Sequence, residues 1–351
     1  MFSFAKICRL WSFYKFLFVF AVIFCTVQYF LLNAGPTTSR RQHEDKIISK
    51  SPIVIHRFCG LFKDCYHVSD VARRNAKSDR LEVSRDFISD TLPNGALTRV
   101  HLQIPEDLSN DQNRDTSKWE VNKRLISMPL IKYMLASGFM LEVLKEETKD
   151  PNHNRILSFG LGGGALQNFI AELHQFTINI TTVEIDPTIA EVGQRFFGFR
   201  PTDTNRVIIA DGIEYSKELK DKGESFDFII LDASSSDHTK EVVCPIEQFR
   251  EPEIISTMAE LVKPNGGLVV NIYAVKKVYE NEEKILFAFS REFASCFLMR
   301  YSAEQRLLIC SHRFNWDLKE QGKRFHQNLQ RHEMLIGLKI TETLYKYNSF
   351  Q

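Results

Sequence analysis

The sequence predicts an α/β fold whose main element is a mostly parallel, seven-stranded sheet with helices on both faces. From Arg155 onward, short apolar runs alternate with segments of helical pattern. Strands separated by helices pair in parallel, and strands dominated by apolar residues are buried on both faces. A small antiparallel β subdomain is predicted before this sheet, and an N-terminal transmembrane helix before both.

The composition permits a folded domain of this size and excludes one class of partner. The chain has 351 residues, of which 44% are hydrophobic and 25% charged, and this is ordinary for a globular protein. Lysine and arginine together number 45, against 44 aspartates and glutamates. Because binding to nucleic acid depends on a basic surface, no nucleic-acid partner is expected.

Residues 12–32 are predicted to form a transmembrane signal-anchor after a short N-terminal tail (1–11). Residues 16–32 carry no charge, and about 20 such residues suffice to cross a bilayer. The alternative, a cleaved signal peptide, has a shorter apolar region. Basic residues flank the uncharged run on both sides: Lys6, Arg9 and Lys15 before it, and Arg40, Arg41 and Lys46, with Glu44 and Asp45, after it. This balance weakly favours a single-pass, type II membrane protein whose C-terminal body is luminal or extracellular.

Four segments follow the predicted anchor. Residues 33–50 are polar and are predicted to be a stalk. Residues 51–118 contain three short β-like runs and a polar loop, and they are predicted to form the small β subdomain. Residues 119–314 are predicted to form the α/β domain, and residues 315–351 are predicted to form a C-terminal helical segment.

The elements of the α/β domain follow from its apolar runs. A helix is predicted first, with Ser127 as its N-cap and Pro129 in its first turn. Five strands separated by helices come next, and an antiparallel pair closes the sheet. In chain order these strands are "RILSFG", "INITTVEID", "RVIIAD", "FDFIILD", "LVVNIY", "CFLMRYS" and "RLLIC".

Two pairs of cysteines are placed where disulfides are possible. Cys59 and Cys65 are close in the sequence, and Cys296 and Cys310 flank a predicted hairpin centred near Ala303. Equal spacing from that turn places the second pair on opposite strands. Disulfides would suit an oxidising compartment, and the alternative is that all four are free thiols.

A glycine loop follows the first strand of the α/β domain. Gly160, Gly162, Gly163 and Gly164 lie within five positions, before a segment of helical pattern. A loop of this kind lets backbone N–H groups approach a ligand closely. Its spacing is G-x-G-G-G and not the dinucleotide-binding G-x-G-x-x-G, which argues against a nicotinamide or flavin enzyme.

Carboxylates follow three successive strands of the predicted sheet. They are Glu184 and Asp186 after the second strand, Asp211 after the third, and Asp232 and Asp237 after the fourth. Since the carboxyl ends of parallel strands share one edge, these side chains are predicted to line a single ligand-binding crevice. A carboxylate in the position of Glu184 accepts hydrogen bonds from ribose hydroxyls, and Asp211 is placed to accept one from an adenine amino group.

Six short motifs together resemble one family. In order and spacing, "GLGGG", "VEIDP", "FFGF", "IADGIEY", "DASSSD" and "VCPIEQF" are similar to the spermidine-synthase-like class I methyltransferases, over about residues 120 to 312. The resemblance implies a Rossmann-like fold and S-adenosyl-L-methionine as cofactor. It places Gly160–Gly164 beside the methionine part, Glu184 on the ribose, and Asp211 with Gly212 near the adenine. Asp186 is grouped with these cofactor-binding residues, and Asp232 is placed near the sulfonium and the acceptor.

The loop after the fourth strand separates two chemistries within this family. Spermidine synthases carry Asp-Ser-Ser-Asp-Pro there, whereas this chain has Asp232-Ala-Ser-Ser-Ser-Asp237-His238, two residues longer between the carboxylates and without the proline. This departure favours methyl transfer to an amine of a protein or of a small molecule. Asp232 is predicted to orient the amine, and Asp237 either assists or is a turn residue.

Two alternatives remain open from the sequence. One is aminopropyl transfer of the spermidine-synthase type, and the other is a catalytically inactive, membrane-anchored binding module that keeps the fold. The sequence carries no pattern that predicts a metal site, and a homodimer is one possible assembly.

Overall fold

The computed structural model describes residues 38–92, 95–146, 153–237, 239–302 and 305–336. The predicted tail (1–11) and signal-anchor (12–32) lie outside these residues. Among the described residues, no helix is both long and apolar enough to cross a bilayer. The described chain forms two units, residues 38–50 with 105–115 and residues 51–104 with 116–336.

The first unit contains a helix within the segment predicted to be a stalk. Helix α1 spans Thr38–Ile48. The Arg40 guanidinium donates to the backbone oxygen of Glu106 over 2.6 Å, and that of Arg114 lies 3.1 Å from Nδ1 of His43. These bonds join the helix to a segment more than sixty residues later in the chain. Local sequence alone therefore does not reveal them.

The second unit begins with a five-stranded antiparallel sheet. Its strands pair in chain order. They are β1 Ile53–Cys59, β2 Cys65–Arg74, β3 Leu81–Ser89, β4 Ala96–Leu102 and β5 Val121–Ile126. The sequence predicted three of these strands and missed β2 and β5. The fifth strand pairs with β4 and extends the sheet beyond the predicted boundary at residue 118.

The larger sheet of this unit is mixed, and the prediction of a Rossmann-like α/β fold is confirmed. Its path is β12-β13-β11-β9-β6-β7-β8, and β10 pairs with β11. Five strands are parallel, whereas β10, β12 and β13 are antiparallel. The strands are β6 Arg155–Phe159, β7 Asn179–Glu184, β8 Asn205–Ile209, β9 Phe226–Leu231, β10 Val242–Cys244, β11 Val262–Ala274, β12 Ser295–Arg300 and β13 Gln305–Ser311. The count is eight instead of the predicted seven, because the three-residue β10 was not foreseen.

Helices cover both faces of this sheet. They are α2 Pro129–Met140, α3 Ala165–Ala171, α4 Pro187–Phe196, α5 Gly212–Asp221, α6 Pro252–Leu261, α7 Val278–Phe289 and α8 Leu318–Ile336. On β9, Ile229 belongs to the same buried cluster as side chains of α5, α6 and α7. The preceding residue of the strand, Phe228, lies beside Gly138 of α2. Since successive side chains of a strand point to opposite faces, β9 is buried on both sides.

The start of α2 differs from its prediction. The residue before the helix is Met128, in extended conformation, and Pro129 is the first helical residue. The Ser127 hydroxyl is buried and has no hydrogen-bond partner among the described residues. Ser127 is therefore not the N-cap, although Pro129 begins the helix as its fixed φ favours.

Both cysteine pairs form disulfides in the structure. Cys59 pairs with Cys65 across β1 and β2, and Cys296 pairs with Cys310 across β12 and β13. Equal spacing from the turn does place the second pair opposite each other. Cys244 is buried and free.

A buried ion pair links the antiparallel sheet to the α/β layer. The Arg85 guanidinium donates to both carboxylate oxygens of Asp70, over 2.7 and 2.9 Å, and the two side chains are 3% and 1% exposed. The same guanidinium donates to the backbone oxygen of Phe196 at the end of α4 and to that of Thr116. One arginine thereby satisfies acceptors from three parts of the unit.

We expect Arg85→Met to lower the free energy of unfolding by about 3–5 kcal/mol, since removing one partner leaves a buried charge unpaired. Urea unfolding followed by circular dichroism measures this change. The matched control is Arg73→Met, because Arg73 pairs with Glu82 over 3.5 Å and is 56% exposed. That variant should lose about 1 kcal/mol or less. Equal losses in the two variants would contradict a special role for the buried pair.

Candidate functional site

The register of three parallel strands brings the candidate site together. Phe159 of β6 is opposite Val183 of β7 and Leu231 of β9. The next residues along these strands are Gly160, Glu184 and Asp232, so they form one row at the carboxyl edge of the sheet. The Gly160 N–H donates to the Val183 oxygen, and the Asp232 N–H donates to the Phe159 oxygen, over 2.9 and 3.0 Å.

Glycine is required in this loop both by the conformation of the backbone and by the close approach of neighbouring residues. Gly160, Gly162 and Gly164 have φ of 96°, 53° and 76°, in the left-handed region that favours glycine. A Cβ on Gly160 would lie 2.5 Å from the Asp232 backbone oxygen, and one on Gly162 would lie 2.8 Å from the Thr98 hydroxyl. The predicted reason for the glycines, ligand approach, is therefore not the sole one, because the loop also packs closely against protein.

Glu184 joins the glycine loop to the end of β7. Its Oε2 accepts the N–H of Leu161 and its Oε1 accepts the N–H of Asp186, each over 3.0 Å. Burial raises the pKa of this carboxyl, and the N–H donors act in the opposite direction. The residue is buried at the carboxyl end of β7, with 9% of its surface exposed.

Asp186 uses both carboxylate oxygens in protein contacts. Its Oδ1 accepts the Thr188 N–H at the start of α4, and its Oδ2 accepts the Leu61 N–H from the turn between β1 and β2. These bonds make Asp186 the N-cap of α4 and an anchor for that turn. Its predicted direct contact with a cofactor stays a prediction.

Asp211 and Gly212 begin α5 at the same edge. The Asp211 carboxylate accepts the Ile213 N–H over 2.8 Å, and its side chain is exposed. A Cβ on Gly212 would lie 2.9 Å from the Phe159 ring, so this glycine permits close packing of the helix start. Asp211 is thus an N-cap whose carboxylate faces solvent near Ile209, which is opposite Glu184 and 47% exposed.

Asp232 is the most strongly perturbed carboxylate of the site. Its Oδ1 accepts the Asn271 amide N–H over 2.8 Å and the Cys244 thiol over 3.7 Å. Burial raises the pKa of Asp232 to about 6, although both donors favour the ionised form. Burial also raises the pKa of the Cys244 thiol, which therefore remains a donor. A carboxylate that changes charge near neutral pH is suited to proton transfer.

Asp237 has a different environment from Asp232. Its Oδ1 accepts the Thr239 N–H and the Thr239 hydroxyl, over 3.0 and 2.6 Å, and the side chain is exposed. This is the turn role that the sequence left open. His238 lies outside the described residues. A catalytic role for Asp237 stays a prediction.

The sequence analysis missed three kinds of residue. Asn271 of β11 interrupts the apolar run "LVVNIY", and that polar residue in a buried strand was the available signal. Ile185 is 40% exposed directly after Glu184 and presents an apolar surface at the edge. The antiparallel sheet also reaches the site: the Thr98 hydroxyl accepts the Gly163 N–H, and the Thr91 hydroxyl donates to the Ser236 oxygen. No local pattern predicted these two contacts.

Comparison of sequences finds a known family that is similar to the region containing this site. Residues 143–301 match the model described as the spermine/spermidine synthase domain. The predicted family resemblance is confirmed. A polyamine aminopropyltransferase of Vibrio vulnificus is 33% identical over 133 residues, which cover 38% of this chain and 42% of that protein. The human eEF1A lysine and N-terminal methyltransferase is 31% identical over 159 residues, which cover 44% of this chain and 22% of that protein.

Solved structures with this spermidine-synthase-like fold are also similar. Human methyltransferase-like protein 13 in complex with SAH has a TM-score of 0.52 and 26% identity, and the match covers 60% of this chain and 94% of that one. A probable spermidine synthase from Corynebacterium glutamicum has a TM-score of 0.54 and covers 79% of this chain and 87% of its own, at 12% identity. The second likeness supports the fold alone. The chain spans less than half the length of either sequence relative.

The raised pKa of Asp232 has a measurable consequence for stability. A carboxyl whose pKa is higher in the folded protein than its unfolded value of about 3.9 makes the protein less stable as the pH rises from the unfolded pKa to the folded pKa, which here is about 6. Asp232→Asn removes this loss. The free energy of unfolding of the variant, relative to that of the wild type, should therefore rise by roughly 2 kcal/mol between about pH 4 and 6.

Urea unfolding of both proteins at a series of pH values measures this difference. Asp237→Asn is the matched control, because that carboxylate is exposed. A difference between Asp232→Asn and wild type that stays constant over the interval would contradict the perturbed Asp232.

Proposed function

We propose that this chain is an S-adenosyl-L-methionine-dependent methyltransferase that acts on an amine, with a lysine or N-terminal amine of a protein as the acceptor. The observation that carries the proposal is the row of Gly160, Glu184 and Asp232 at the ends of three adjacent parallel strands. The human relative named as a lysine and N-terminal methyltransferase and the structural neighbour with bound SAH support it.

The residues at the edge fit an adenosyl group by their chemistry. Glu184 accepts the backbone N–H groups of Leu161 and Asp186, one on each oxygen. A carboxylate has about four lone-pair sites, so acceptor capacity remains for ribose hydroxyls. Asp211 offers an exposed carboxylate for an amino group, and Ile185 offers 40% exposed apolar surface for a flat ring. Glu184, Ile185 and Asp211 would therefore hold the nucleoside part.

Asp232 is the residue proposed to handle the acceptor. When bound, S-adenosyl-L-methionine supplies an electrophilic methyl group. Among the described residues, the Asn271 amide and the Cys244 thiol both donate to Oδ1 of Asp232. Oδ2 is thereby left to accept an N–H of the acceptor amine, orient its lone pair and take up the proton that N-methylation releases. Because its pKa is about 6, Asp232 is ionised and able to accept this proton at neutral pH.

Aminopropyl transfer to a polyamine is the second candidate function. The match to the spermine/spermidine synthase domain and the Vibrio vulnificus relative favour it. The loop after β9 disfavours it, since the second carboxylate, Asp237, is bonded to Thr239 in an exposed turn. A dicationic substrate is held best by two carboxylates that face one cavity.

The compartment is a separate part of the proposal. We propose a single-pass membrane protein with its signal-anchor at 12–32 and its enzymatic body in the lumen of the endomembrane system or outside the cell. The disulfides Cys59–Cys65 and Cys296–Cys310 support an oxidising environment for the body. The uncharged run at residues 16–32 supports the anchor. Homodimerisation remains part of the proposal without a described interface.

Calorimetry on the full chain in mild detergent tests the cofactor. We expect S-adenosyl-L-methionine to bind, with at least tenfold weaker binding in Glu184→Gln, since hydrogen bonds to a charged group contribute about 1.5–3 kcal/mol. A preference for decarboxylated S-adenosylmethionine would support aminopropyl transfer instead. If neither compound binds, both enzyme functions are wrong, and the inactive binding module is the alternative that is left.

The pH dependence of methyl transfer tests the role of Asp232. With a peptide that bears a free N-terminal amine as the acceptor, kcat should fall as the pH drops through about 6, when Asp232 becomes protonated. Asn271→Leu removes a donor to the ionised carboxylate, so this acid limb should move upward by roughly one pH unit.

A buried asparagine elsewhere supplies the matched control. Asn281 donates to the backbone oxygen of Lys276 and not to Asp232, so Asn281→Leu should leave the acid limb in place. An acid limb that is identical in wild type and Asn271→Leu would show that Asp232 is not the group that titrates.

A further inference from the structure

A disulfide-closed turn lies against the cofactor side of the site. Residues 59–65, here called the cystine hairpin, join β1 to β2. Cys59 and Cys65 are the last paired residues of the two strands and are bonded to each other. Within the turn, the Gly60 N–H donates to the Asp64 oxygen over 2.8 Å, and the Lys63 N–H donates to the Gly60 oxygen over 3.0 Å. The proposed function assigns no role to this hairpin.

The tip of the cystine hairpin contacts the carboxylate of Asp186. The Leu61 N–H donates to Oδ2 of Asp186 over 2.7 Å. The backbone of Gly60 approaches so closely that a Cβ there would lie 2.1 Å from the same oxygen. A hydrogen bond from a fixed backbone N–H to a charged oxygen is among the stronger ones in proteins. The position of Asp186 therefore depends on where the hairpin tip is held.

Asp186 transmits this position to Glu184. The Asp186 backbone N–H donates to Oε1 of Glu184 over 3.0 Å. The other Asp186 oxygen accepts the Thr188 N–H, which fixes the start of α4. A shift of Asp186 would thus alter both the Glu184 carboxylate and the helix beside it.

A second observation places the hairpin within the field of these carboxylates. Tyr66 follows Cys65 and is buried. Burial, together with the charges of Asp64, Asp186 and Glu184, raises the pKa of its hydroxyl to about 12. The base of the hairpin is therefore close to Asp186, which the tip contacts, and within the field of Glu184.

We propose that the cystine hairpin is a positioning element of the cofactor site, and that the Cys59–Cys65 disulfide sets the affinity for the cofactor by holding Leu61 against Asp186. The inference rests on the proposed binding of an S-adenosyl cofactor at Glu184. Gly60 and Leu61 act through Asp186 and do not themselves contact the ligand. The disulfide limits the freedom of the turn, so its opening lets the Leu61 N–H leave the carboxylate.

Opening the disulfide is a two-electron reduction by a dithiol. One thiolate of the dithiol attacks a hairpin sulfur, the Cys59–Cys65 bond breaks, and the second thiolate closes the reagent into its own disulfide. The hairpin gains two electrons and two protons as two thiols. Cys59 is exposed, whereas Cys310 of the other disulfide is 1% exposed, so a dithiol reaches the hairpin bond more readily.

Calorimetry with S-adenosylhomocysteine on the full chain tests the inference without an acceptor. The oxidised protein should bind this probe, and dithiothreitol should weaken the binding by about tenfold, the scale of one charged hydrogen bond. Cys59→Ala with Cys65→Ala should weaken it equally and no longer respond to dithiothreitol. The matched control, Cys296→Ala with Cys310→Ala, should keep the wild-type affinity and response. Circular dichroism verifies that each variant is folded.

A double-mutant cycle isolates the route through Asp186. Asn is a good N-cap, so Asp186→Asn preserves the start of α4, but its single acceptor oxygen cannot serve both Thr188 and Leu61. In that variant, reduction should have little further effect on affinity, because the hairpin has already lost its contact.

Three outcomes separate the inference from the proposed function. If the oxidised protein does not bind the probe, the proposed cofactor is wrong. If it binds equally well in both redox states, the proposed cofactor site is supported and the proposed role of the hairpin is wrong. If reduction weakens binding to the same extent in wild type and Asp186→Asn, the hairpin does not act through Asp186.

Discussion

The parallel register of β6 between β7 and β9 is the constraint on which the site depends. Because Phe159 is opposite both Val183 and Leu231, the residues that follow are forced into one row. The row contains Gly160, whose backbone lies close to that of Asp232, the buried carboxylate of Glu184, and Asp232, whose pKa is about 6. A slip of one residue on either side would move Glu184 or Asp232 out of line and to the opposite face.

Around this row, two layers satisfy the polar groups that the sheet edge leaves exposed. The α/β layer supplies Asn271 and Cys244 to Asp232. The antiparallel sheet supplies Leu61 to Asp186 and Thr98 to the loop at Gly163. Hydrogen bonds of this kind hold carboxylates in fixed positions in a partly buried environment, and they limit the energetic cost of burial. The antiparallel sheet is thus part of the site and not only an appendage before it.

Local patterns were sufficient to predict the strands that consist of continuous apolar runs. The strands "FDFIILD" and "LVVNIY" were predicted because burial on both faces demands apolar side chains. The short β10 was missed because three residues carry too little pattern, and β2 was missed because the polar residues Ser69 and Asp70 occupy buried positions in it. Ser127 was taken for an N-cap from residue type alone, whereas its hydroxyl is buried and Met128 occupies that position.

The sequence by itself determined the glycine loop, the acidic ends of the strands and the resemblance to one family, because these depend on residue type and spacing along one chain. Only the tertiary structure decided the roles of those residues. Asp186 caps a helix and anchors a hairpin, and Asp237 caps a turn, whereas Asp232 is half-buried and accepts a hydrogen bond from Asn271. The physical reason is that hydrogen-bond partners and burial come from segments distant in the chain, such as Leu61, 125 residues before Asp186.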